Sequence, residues 1–320
     1  MALSNNVRSW FKRNKDTAPG CVGISMCDAG ISLSYGVIKQ GEYQVSLIDF
    51  APLPPSEYES YAKGWIQRNK LKNAKGHFVL NDDEYQLELI EKPQVQEEEM
   101  REAVKWKIKD LVQYPSQETI LDVFNLPDDA YRGRSDMLYA VVSSKEKISS
   151  KLEFMRQIGL VPSVIDIPEL VLRNILLYFP DSEEGTTAIL KLNENDSEVI
   201  IYSHEELCFA RNIDIGFSQF LKIEEEITLD NSDVFDRLVL DLQRSLDYFE
   251  SQVGKGTVSK IIILPVDNIQ ENFIQNLSQG IGINVEEFNM KNVRPIQEKI
   301  NSSHTFHSIT SIGSVLRRNQ

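Results

Sequence analysis

The sequence predicts an α/β protein made of two lobes that repeat one pattern. In each half of the chain, three short apolar strands with tight polar turns precede alternating helices and strands. A polar, acid-rich stretch that begins with a proline, at 180–186, separates the two halves. The chain has 320 residues, too many for one small core, and this length also favours two lobes.

The first copy of the pattern starts near residue 20. Two turn-forming stretches, Asp28-Ala29-Gly30 and Gln40-Gly41-Glu42, separate its first three strands. Ser144 is a typical N-cap for one of the later helices, and Gly159 is a typical stop signal after it. The predicted strands are 22–24, 31–38, 43–48, 77–80, 85–90, 121–126, 137–142 and 161–168, and the predicted helices are 58–69, 97–112, 144–158 and 169–178.

The second copy starts after the break, with predicted strands at 188–192, 198–202 and 207–211. A long helix over 232–253 follows, because apolar side chains recur there at helical spacing. These apolar positions are Phe235, Leu238, Leu242, Leu246, Phe249 and Val253. The rest of the chain is predicted to form strands at 260–264 and 285–288 and helices at 271–280 and 308–317.

The predicted helix over 97–112 has one aromatic residue away from its apolar face. Three acidic residues, Glu97–Glu99, occupy its first turn, where the helix dipole favours them. Trp106 points to the side opposite the apolar stripe, among three lysines. Because tryptophan is buried on average, we expect another element to cover Trp106, with contact to a partner as the alternative. The stripe is Met100, Val104, Ile108 and Leu111, and the lysines are Lys105, Lys107 and Lys109.

The composition excludes some classes of protein. With 34 Lys and Arg against 48 Asp and Glu, the formal net charge is −14, which argues against a general nucleic-acid binder. No apolar run approaches the roughly 20 residues of a membrane-spanning helix, and the start of the chain does not look like a signal peptide. Three cysteines fit a reducing compartment. We therefore expect a cytoplasmic protein.

Residues 1–19 form a basic N-terminal segment. Arg8, Lys12, Arg13 and Lys15 make it basic although the whole chain is acidic. A frayed terminus is the preferred interpretation. The alternative is a short amphipathic helix that touches an anionic membrane surface or a partner.

Five stretches, taken in order, resemble one family. The resemblance spans roughly residues 20–317 and is to the PilM family of actin-like pilus-assembly proteins, most closely to its MshI branch from mannose-sensitive haemagglutinin (MSHA) pilus biogenesis. The cytoplasmic part of the type II secretion L-protein is similar at a greater distance. The stretches are AVKWKIKDLVQYP at 103–115, LDVF at 121–124, GLVPSVIDIPE at 159–169, FARNIDIG at 209–216 and LQRSLDYF at 242–249.

The resemblance implies an actin-like (ribonuclease H-like) two-lobed fold around a nucleotide cleft. The first lobe would comprise 20–92 and 136–168, with 304–320 packing back on it. An inserted subdomain would span 93–135, and the second lobe 169–303. The family's role implies a cytoplasmic scaffold at the inner membrane. It would hold the cytoplasmic tail of a PilN-like membrane pilus protein and contact the assembly ATPase.

The first phosphate-binding turn departs from the family pattern, which is Gly-x-Asp-x-Gly followed by Ser or Thr. Here Ser25 stands where the Asp would be and Cys27 stands where the second Gly would be. An Asp and a Gly recur about three residues later, and a serine after them could reach a phosphate. The residues of this degenerate turn are Gly23, Ser25, Asp28, Gly30 and Ser32.

The second and third nucleotide elements depart as well. The turn at 191–197 contains Asn193, Glu194 and Asp196 but no glycine, so two carboxylates would face the phosphates and repel them. The stretch 264–268 lacks the paired glycines expected beneath the adenosine. We therefore expect a pseudo-ATPase scaffold with neither ATP nor Mg²⁺ as a cofactor. The alternatives are an actin-like ATP-binding protein or ATPase of pilus or secretion machinery, and a filament former.

Other chemical signals are weak. His304 and His307 have no third ligand at metal-site spacing, so a structural role is preferred to a metal site. Cys21 and Cys27 lack the two-residue spacing of redox motifs and are interpreted as small apolar strand residues. For the contact with the membrane partner, the sequence suggests the surface around Trp106 and Tyr114, in the binding of an extended peptide.

Overall fold

Three β-sheets organise the protein. The computed structural model describes residues 19–39, 42–112, 115, 118–131, 136–179, 185–221, 230–266, 272–293, 296 and 306–317. Two of the sheets have five strands and the third has three. The predicted N-terminal segment 1–19 lies outside the described residues except for Pro19.

The first five-stranded sheet begins with an antiparallel meander. It consists of β1 (Cys21–Cys27), β2 (Gly30–Lys39) and β3 (Glu42–Ala51). Two parallel strands, β4 (Lys75–Val79) and β8 (Val161–Asp166), extend it beside β1. The strand order is β3-β2-β1-β4-β8. The central strand β1 is buried over most of its length because both of its faces are covered.

Helices cover both faces of this sheet. On one face, α1 (Tyr58–Arg68) and α3 (Lys145–Gln157) enclose an apolar core with Val22, Trp65 and Phe78. On the other face lies a short C-terminal helix, which packs against β1, β2 and β4. We number the remaining helices of this part α2 (Met100–Ile108), α4 (Pro168–Leu176) and, for the C-terminal one, α8 (Ile309–Val315).

The three-stranded sheet and α2 form a small layer of their own. The strands are β5 (Tyr85–Glu91), β6 (Thr119–Asn125) and β7 (Met137–Ser144), in the order β5-β7-β6. Side chains from α2, β5 and β7 share one apolar core, and Val104 is completely buried in it. Strands β5 and β7, which build the layer together with α2, lie outside the expected insertion at 93–135, whose limits stay a prediction.

The second five-stranded sheet repeats the topology of the first. Its strands are β9 (Thr186–Leu192), β10 (Ser197–Ser203), β11 (Glu206–Ile213), β12 (Lys260–Ile263) and β13 (Asn284–Glu287). Again an antiparallel meander precedes two parallel strands, in the order β11-β10-β9-β12-β13. The prediction of one pattern used twice is thus confirmed.

A long helix packs in the second part of the chain. It is α6 (Asp230–Tyr248), preceded by α5 (Ser218–Leu221) and followed later by α7 (Phe273–Ile281). Leu238 and Leu242 of its predicted apolar stripe are completely buried. The α-helix ends earlier than predicted, because a π-helical turn at Phe249–Val253 completes it.

The described residues fall into two compact units. The first contains those up to Asn125, Leu138–Ile175 and those from Val293 onward, and the second contains Leu126–Met137 and Leu176–Asn292. The first unit extends beyond the expected limit at 168 because α4 is bound within it: the Asn174 side chain donates a hydrogen bond to the Gly313 carbonyl at 3.0 Å. Among the helices of the described residues, none is both long and apolar enough to cross a membrane.

Candidate functional site

The two glycines of the first-lobe turn make room for neighbouring protein backbone. A Cβ atom on Gly23 would lie 2.2 Å from the Ser311 carbonyl oxygen and 2.2 Å from the Ser314 Oγ. A Cβ atom on Gly30 would lie 2.1 Å from the Ala51 carbonyl oxygen, and Gly30 has φ of +153°. Both close approaches occur within the first unit. The glycines are therefore explained by the packing of this unit without any phosphate.

Ser32 points to the C-terminal helix and not to an open turn. Its Oγ donates to Ser308 Oγ at 2.8 Å and lies 2.9 Å from Ser311 Oγ. Ser34 Oγ lies 2.7 Å from the same Ser311 hydroxyl. Ser32 is only 1% exposed. The expectation that Ser32 reaches a phosphate is thus corrected, because its hydroxyl is used in a buried serine cluster.

The two other residues predicted at this turn differ in their exposure to solvent. Ser25 is buried inside β1, whereas Asp28 is exposed in the turn between β1 and β2. Cys27, which was expected to be a small apolar strand residue, is exposed at the end of β1. The turn therefore offers one accessible carboxylate, that of Asp28.

A buried histidine completes the contact between α8 and the sheet. His77 Nδ1 lies 2.8 Å from the Ser314 carbonyl oxygen, so the ring donates a hydrogen bond to it. Burial lowers the pKa of His77 to about 4. Close by in sequence to α8, Arg317 Nη1 lies 2.5 Å from the carboxylate of Asp166. Burial raises the pKa of Asp166, and the Arg317 charge acts in the opposite direction.

Sequence reasoning missed this polar contact. The serines Ser308, Ser311 and Ser314 recur every three residues in an otherwise apolar tail, which was the available signal. Their partners on β2 and β4 lie more than 200 residues away along the chain. Such a spacing in a helix places the three serines on one face. There the hydroxyls of Ser308 and Ser311 meet those of Ser32 and Ser34, and the backbone carbonyl of Ser314 accepts from His77.

The second-lobe turn is occupied by the chain that follows β11. The Asn193 N–H donates to the Asp196 carbonyl at 2.9 Å, and the Asn193 amide group donates to the Asp196 carboxylate at 2.7 Å. The carbonyls of Asn193 and Glu194 accept the N–H groups of Phe217 and Ser218. The side chain of Asp196 is thus held within the turn, whereas Glu194 is exposed.

Gly216, which lies outside this turn, explains how the segment after β11 comes so close to the turn. A Cβ atom on Gly216 would lie 2.3 Å from the Glu194 carbonyl oxygen. The glycine missing from the turn itself is therefore present in the segment that packs on it. Its role is the approach of backbone to backbone.

The third predicted element is described only in part. The Leu264 N–H donates to the Leu190 carbonyl at 2.9 Å, which continues the pairing of β12 with β9. Pro265 and Val266 are half-buried, and residues 267 and 268 lie outside the described residues. Proline has no N–H to offer a nucleotide at this position.

The described residues offer little catalytic or metal chemistry. They contain no group of three or more His, Cys, Asp or Glu side chains that could hold a metal ion. His307 stacks on Phe50 with ring centroids 4.3 Å apart, and His304 lies outside the described residues. Burial raises the pKa of the Cys21 thiol to about 12 and that of Cys208 to about 11, so neither is a reactive thiolate at neutral pH.

The surface of α2 departs from the preferred prediction. Trp106 is 71% exposed, so no described element covers it. Leu111, expected to continue the apolar stripe, lies beyond the end of α2 and is 54% exposed. Tyr114, the second residue suggested for partner contact, lies outside the described residues. The partner role of Trp106 stays a prediction.

Comparison with known proteins now gives these features a context. Residues 88–231 match the family model described as "Type IV pilus assembly protein PilM". Among solved structures, the chain is similar to one described as "PilM-PilN type IV pilus biogenesis complex", with a TM-score of 0.70 and 18% identity over 93% of this chain and 98% of that chain. A Bacteroides thetaiotaomicron protein with an actin-like ATPase fold gives 0.50 and 9% identity over 97% and 100%. The fold is actin-like.

Two further comparisons complete the picture. The cytoplasmic domain of EpsL, an inner-membrane component of the type II secretion system of Vibrio cholerae, gives a TM-score of 0.49 and 10% identity over 93% of this chain and 96% of that chain. Among curated proteins, none matches the chain significantly.

The actin-like fold relates the two predicted phosphate turns to each other. One joins β1 to β2 and the other joins β9 to β10, which are equivalent positions in the two repeated sheets. The second of them, with Asn193 and Asp196, lies within the PilM-like residues 88–231, and so does Trp106. The first, with Gly23 and Ser32, lies outside them.

Proposed function

We propose that the protein is a PilM-type scaffold of type IV pilus assembly, from the MshI branch that serves MSHA-like pili. It works in the cytoplasm at the inner membrane and binds the cytoplasmic tail of a PilN-type pilus protein. The observation that carries the proposal is the actin-like fold shared with the PilM–PilN complex over 93% of this chain. The PilM match of residues 88–231 supports it independently through the sequence.

The same proposal makes the protein a pseudo-ATPase. An actin-like ATPase needs N–H groups close to the phosphates in both lobes, and glycines allow that approach. Here Gly23 and Gly30 accommodate neighbouring backbone, and the second-lobe turn is filled by the segment around Gly216. Two acidic side chains, Glu194 and Asp196, add repulsion for a triphosphate. These contacts support a scaffold role without ATP turnover.

Calorimetric titration of the full chain with Mg-ATP is expected to give no binding heat. The reason is that the second-lobe turn already uses its backbone groups internally, and the glycines of the first-lobe turn lie against neighbouring backbone. ADP and Mg²⁺ alone serve as matched titrations. A dissociation constant in the micromolar range would contradict the pseudo-ATPase proposal and would favour the alternative of an actin-like ATP-binding protein.

Affinity purification from the native host is expected to recover an inner-membrane pilus protein of the PilN type. The assembly ATPase is expected as a second, less tightly held protein. Deletion of the gene should also remove the surface pili without changing the pilin level. Recovery of a type II secretion membrane protein in place of a pilus protein would move the assignment away from the PilM branch.

A further inference from the structure

The part of the first unit around the end of α1 carries basic residues and no acidic ones. Residues 60–81 contain five Lys or Arg and no Asp or Glu, although the whole chain has a formal net charge of −14. Four of the five follow closely on one another, where α1 ends and the chain turns into β4. All four are exposed, and none is in an ion pair with another described residue. They are Arg68, Lys70, Lys72 and Lys75, and we call them the basic loop.

Buried neighbours hold the backbone of the basic loop in place. Leu71 and Ala74, which alternate with the lysines, are buried in the apolar core that α1 and α3 enclose. The Leu71 N–H donates to the Ile66 carbonyl at 2.9 Å, and the Asn73 N–H donates to the Gly159 carbonyl at 2.8 Å. The charged side chains therefore project from a fixed backbone, and little further order has to be gained when they meet a charged surface.

Stabilisation of α1 explains only part of this charge. A cation in the last turn of a helix interacts favourably with the helix dipole, which accounts for Arg68. Lys70 lies two residues after the helix, at the position where helices prefer glycine, and has φ of 59°. A lysine in this left-handed conformation is strained, so the helix end alone would favour glycine there. Lys72 and Lys75 lie beyond the last turn, where the effect of the dipole has faded.

The basic N-terminal segment joins the molecule at the same end of the first sheet. Lys75 pairs with Cys21 at the start of β1, and the carbonyl of Pro19 accepts a hydrogen bond from the Tyr35 hydroxyl on β2. The sequence before Pro19 adds four more basic residues. They are Arg8, Lys12, Arg13 and Lys15, which lie outside the described residues and are not part of the basic loop.

Few acidic residues oppose the basic loop. Asp49 is half-buried and accepts a hydrogen bond from the Tyr61 hydroxyl at 2.6 Å, and the Arg68 charge acts on the same tyrosine. On the last turn of α3, Glu153 is paired with Arg156 at 3.5 Å. In the hairpin between β2 and β3, the register places Glu42 opposite Lys39. The positive charge of the basic loop is therefore reduced by Asp49 alone among these acids.

We infer that the basic loop contacts the anionic lipid headgroups of the inner membrane. This inference rests on the proposed function, which places the protein at that membrane. The cytoplasmic leaflet has a negative surface potential, and each Lys or Arg close to it raises the partition coefficient at most about fivefold. Four such residues bind weakly on their own. The membrane partner keeps the loop near the lipid, which makes weak binding effective.

Charge and composition favour lipid over a nucleic acid as the occupant. A nucleic acid is a dense row of phosphates, and the remaining surface of a chain with net charge −14 would repel it. A membrane offers its charge as a surface that one end of the protein can touch. The adjoining N-terminal segment combines its basic residues with Val7, Trp10 and Phe11, a composition typical of segments that bind at a lipid surface.

The test is sedimentation of the full chain with lipid vesicles at millimolar lipid. The wild type should bind vesicles that contain phosphatidylglycerol but not vesicles of phosphatidylcholine alone, and added salt should weaken the binding. The triple variant Lys70→Gln/Lys72→Gln/Lys75→Gln should have a partition coefficient about tenfold lower, or less. Lys70→Gly should lower it about threefold and raise Tm by about 2 °C, because glycine relieves the strained backbone.

A control variant tests whether the position of the charges matters. Arg237→Gln/Arg244→Gln/Lys291→Gln removes three exposed basic residues from the second unit and should bind vesicles like the wild type. A loss equal to that of the lysine triple variant would overturn the inference, because it would reflect net charge alone. Equal binding of the wild type and either lysine variant, or equal binding of the wild type to both lipid compositions, would overturn it as well.

Three further outcomes would assign the charge differently. Loss of vesicle binding only after replacement of Arg8, Lys12, Arg13 and Lys15 by Gln would move the contact to the N-terminal segment and overturn the inference. Binding of duplex DNA through the basic loop, without vesicle binding, would overturn it in favour of a nucleic acid. Failure to bind any vesicle would overturn it too, while recovery of a PilN-type protein by affinity purification would leave the proposed function standing.

Discussion

Replacing Gly23 by alanine is expected to detach helix α8 from its sheet and to lower the free energy of unfolding of the first unit by about 3 kcal/mol or more. The new Cβ would lie 2.2 Å from the Ser311 carbonyl oxygen, a helix backbone atom that cannot move alone. The helix must therefore shift as a body. That shift would break the hydrogen bonds of Ser311 to Ser32 and Ser34 and leave buried hydroxyls without partners.

Urea unfolding and amide hydrogen exchange measure this effect. The amides of 309–316 should lose protection in Gly23→Ala before the rest of the unit does. Gly64→Ala is the matched control, because Gly64 lies inside α1 and its Cβ would meet only the end of the Arg68 side chain, at 3.2 Å. That variant should raise stability by about 0.5–1 kcal/mol. A Gly23→Ala protein as stable as the wild type would contradict the packing role and would restore Gly23 as a candidate ligand-binding glycine.

Most of the fold could be predicted because its signals are local. Apolar alternation and turn residues give β1 to β3, and a stripe at helical spacing gives α6, whose Leu238 and Leu242 are completely buried. The duplication of the meander was visible for the same reason, since each copy is a run of short strands separated by polar turns. These features depend on residues close to one another in sequence.

The candidate site was harder to predict because its contacts join distant parts of the chain. Ser32 meets Ser308, which lies 276 residues further along, and Gly216 meets the turn at Glu194 from a separate segment. A glycine looks the same in sequence whether it admits a phosphate or another backbone. Helical periodicity showed that Trp106 lies off the apolar stripe, but only tertiary structure tells whether another element covers it.

The contact of α8 with its sheet is specific because it is polar. Apolar helices can slide on an apolar sheet at small cost, whereas buried hydroxyls bind in one register only. The serines of α8 meet Ser32, Ser34 and His77 in that register. Each buried polar group has to keep its partner, since a buried donor or acceptor left alone costs about 1–3 kcal/mol. This sensitivity makes the contact dependent on pH through the ring of His77.

Acidification from pH 6.5 to 4 is expected to destabilise the first unit by about 3 kcal/mol through His77 alone. The unfolded chain takes up a proton on this ring below its ordinary pKa of 6.5, whereas the folded protein does so only below about 4. Between these values the unfolded state binds one proton more. The contribution of His77 to stability is therefore fully present above pH 6.5 and is lost as the pH falls towards 4.

The variant His77→Gln isolates this effect. Glutamine keeps an N–H for the Ser314 carbonyl but does not titrate. At pH 7.5 the free energy of unfolding of His77→Gln should therefore be lower than that of the wild type by only about 1 kcal/mol. Between pH 6 and 4.5, the wild type should lose about 1.2 kcal/mol per pH unit more than the variant in urea unfolding. Asp166 and the other carboxylates titrate in both proteins, so they cancel in this difference. The prediction would be contradicted if the free energies of unfolding of the two proteins fell in parallel as the pH is lowered. The His77 ring would then be protonated in the folded protein without loss of stability, and it would not link the docking of α8 to pH.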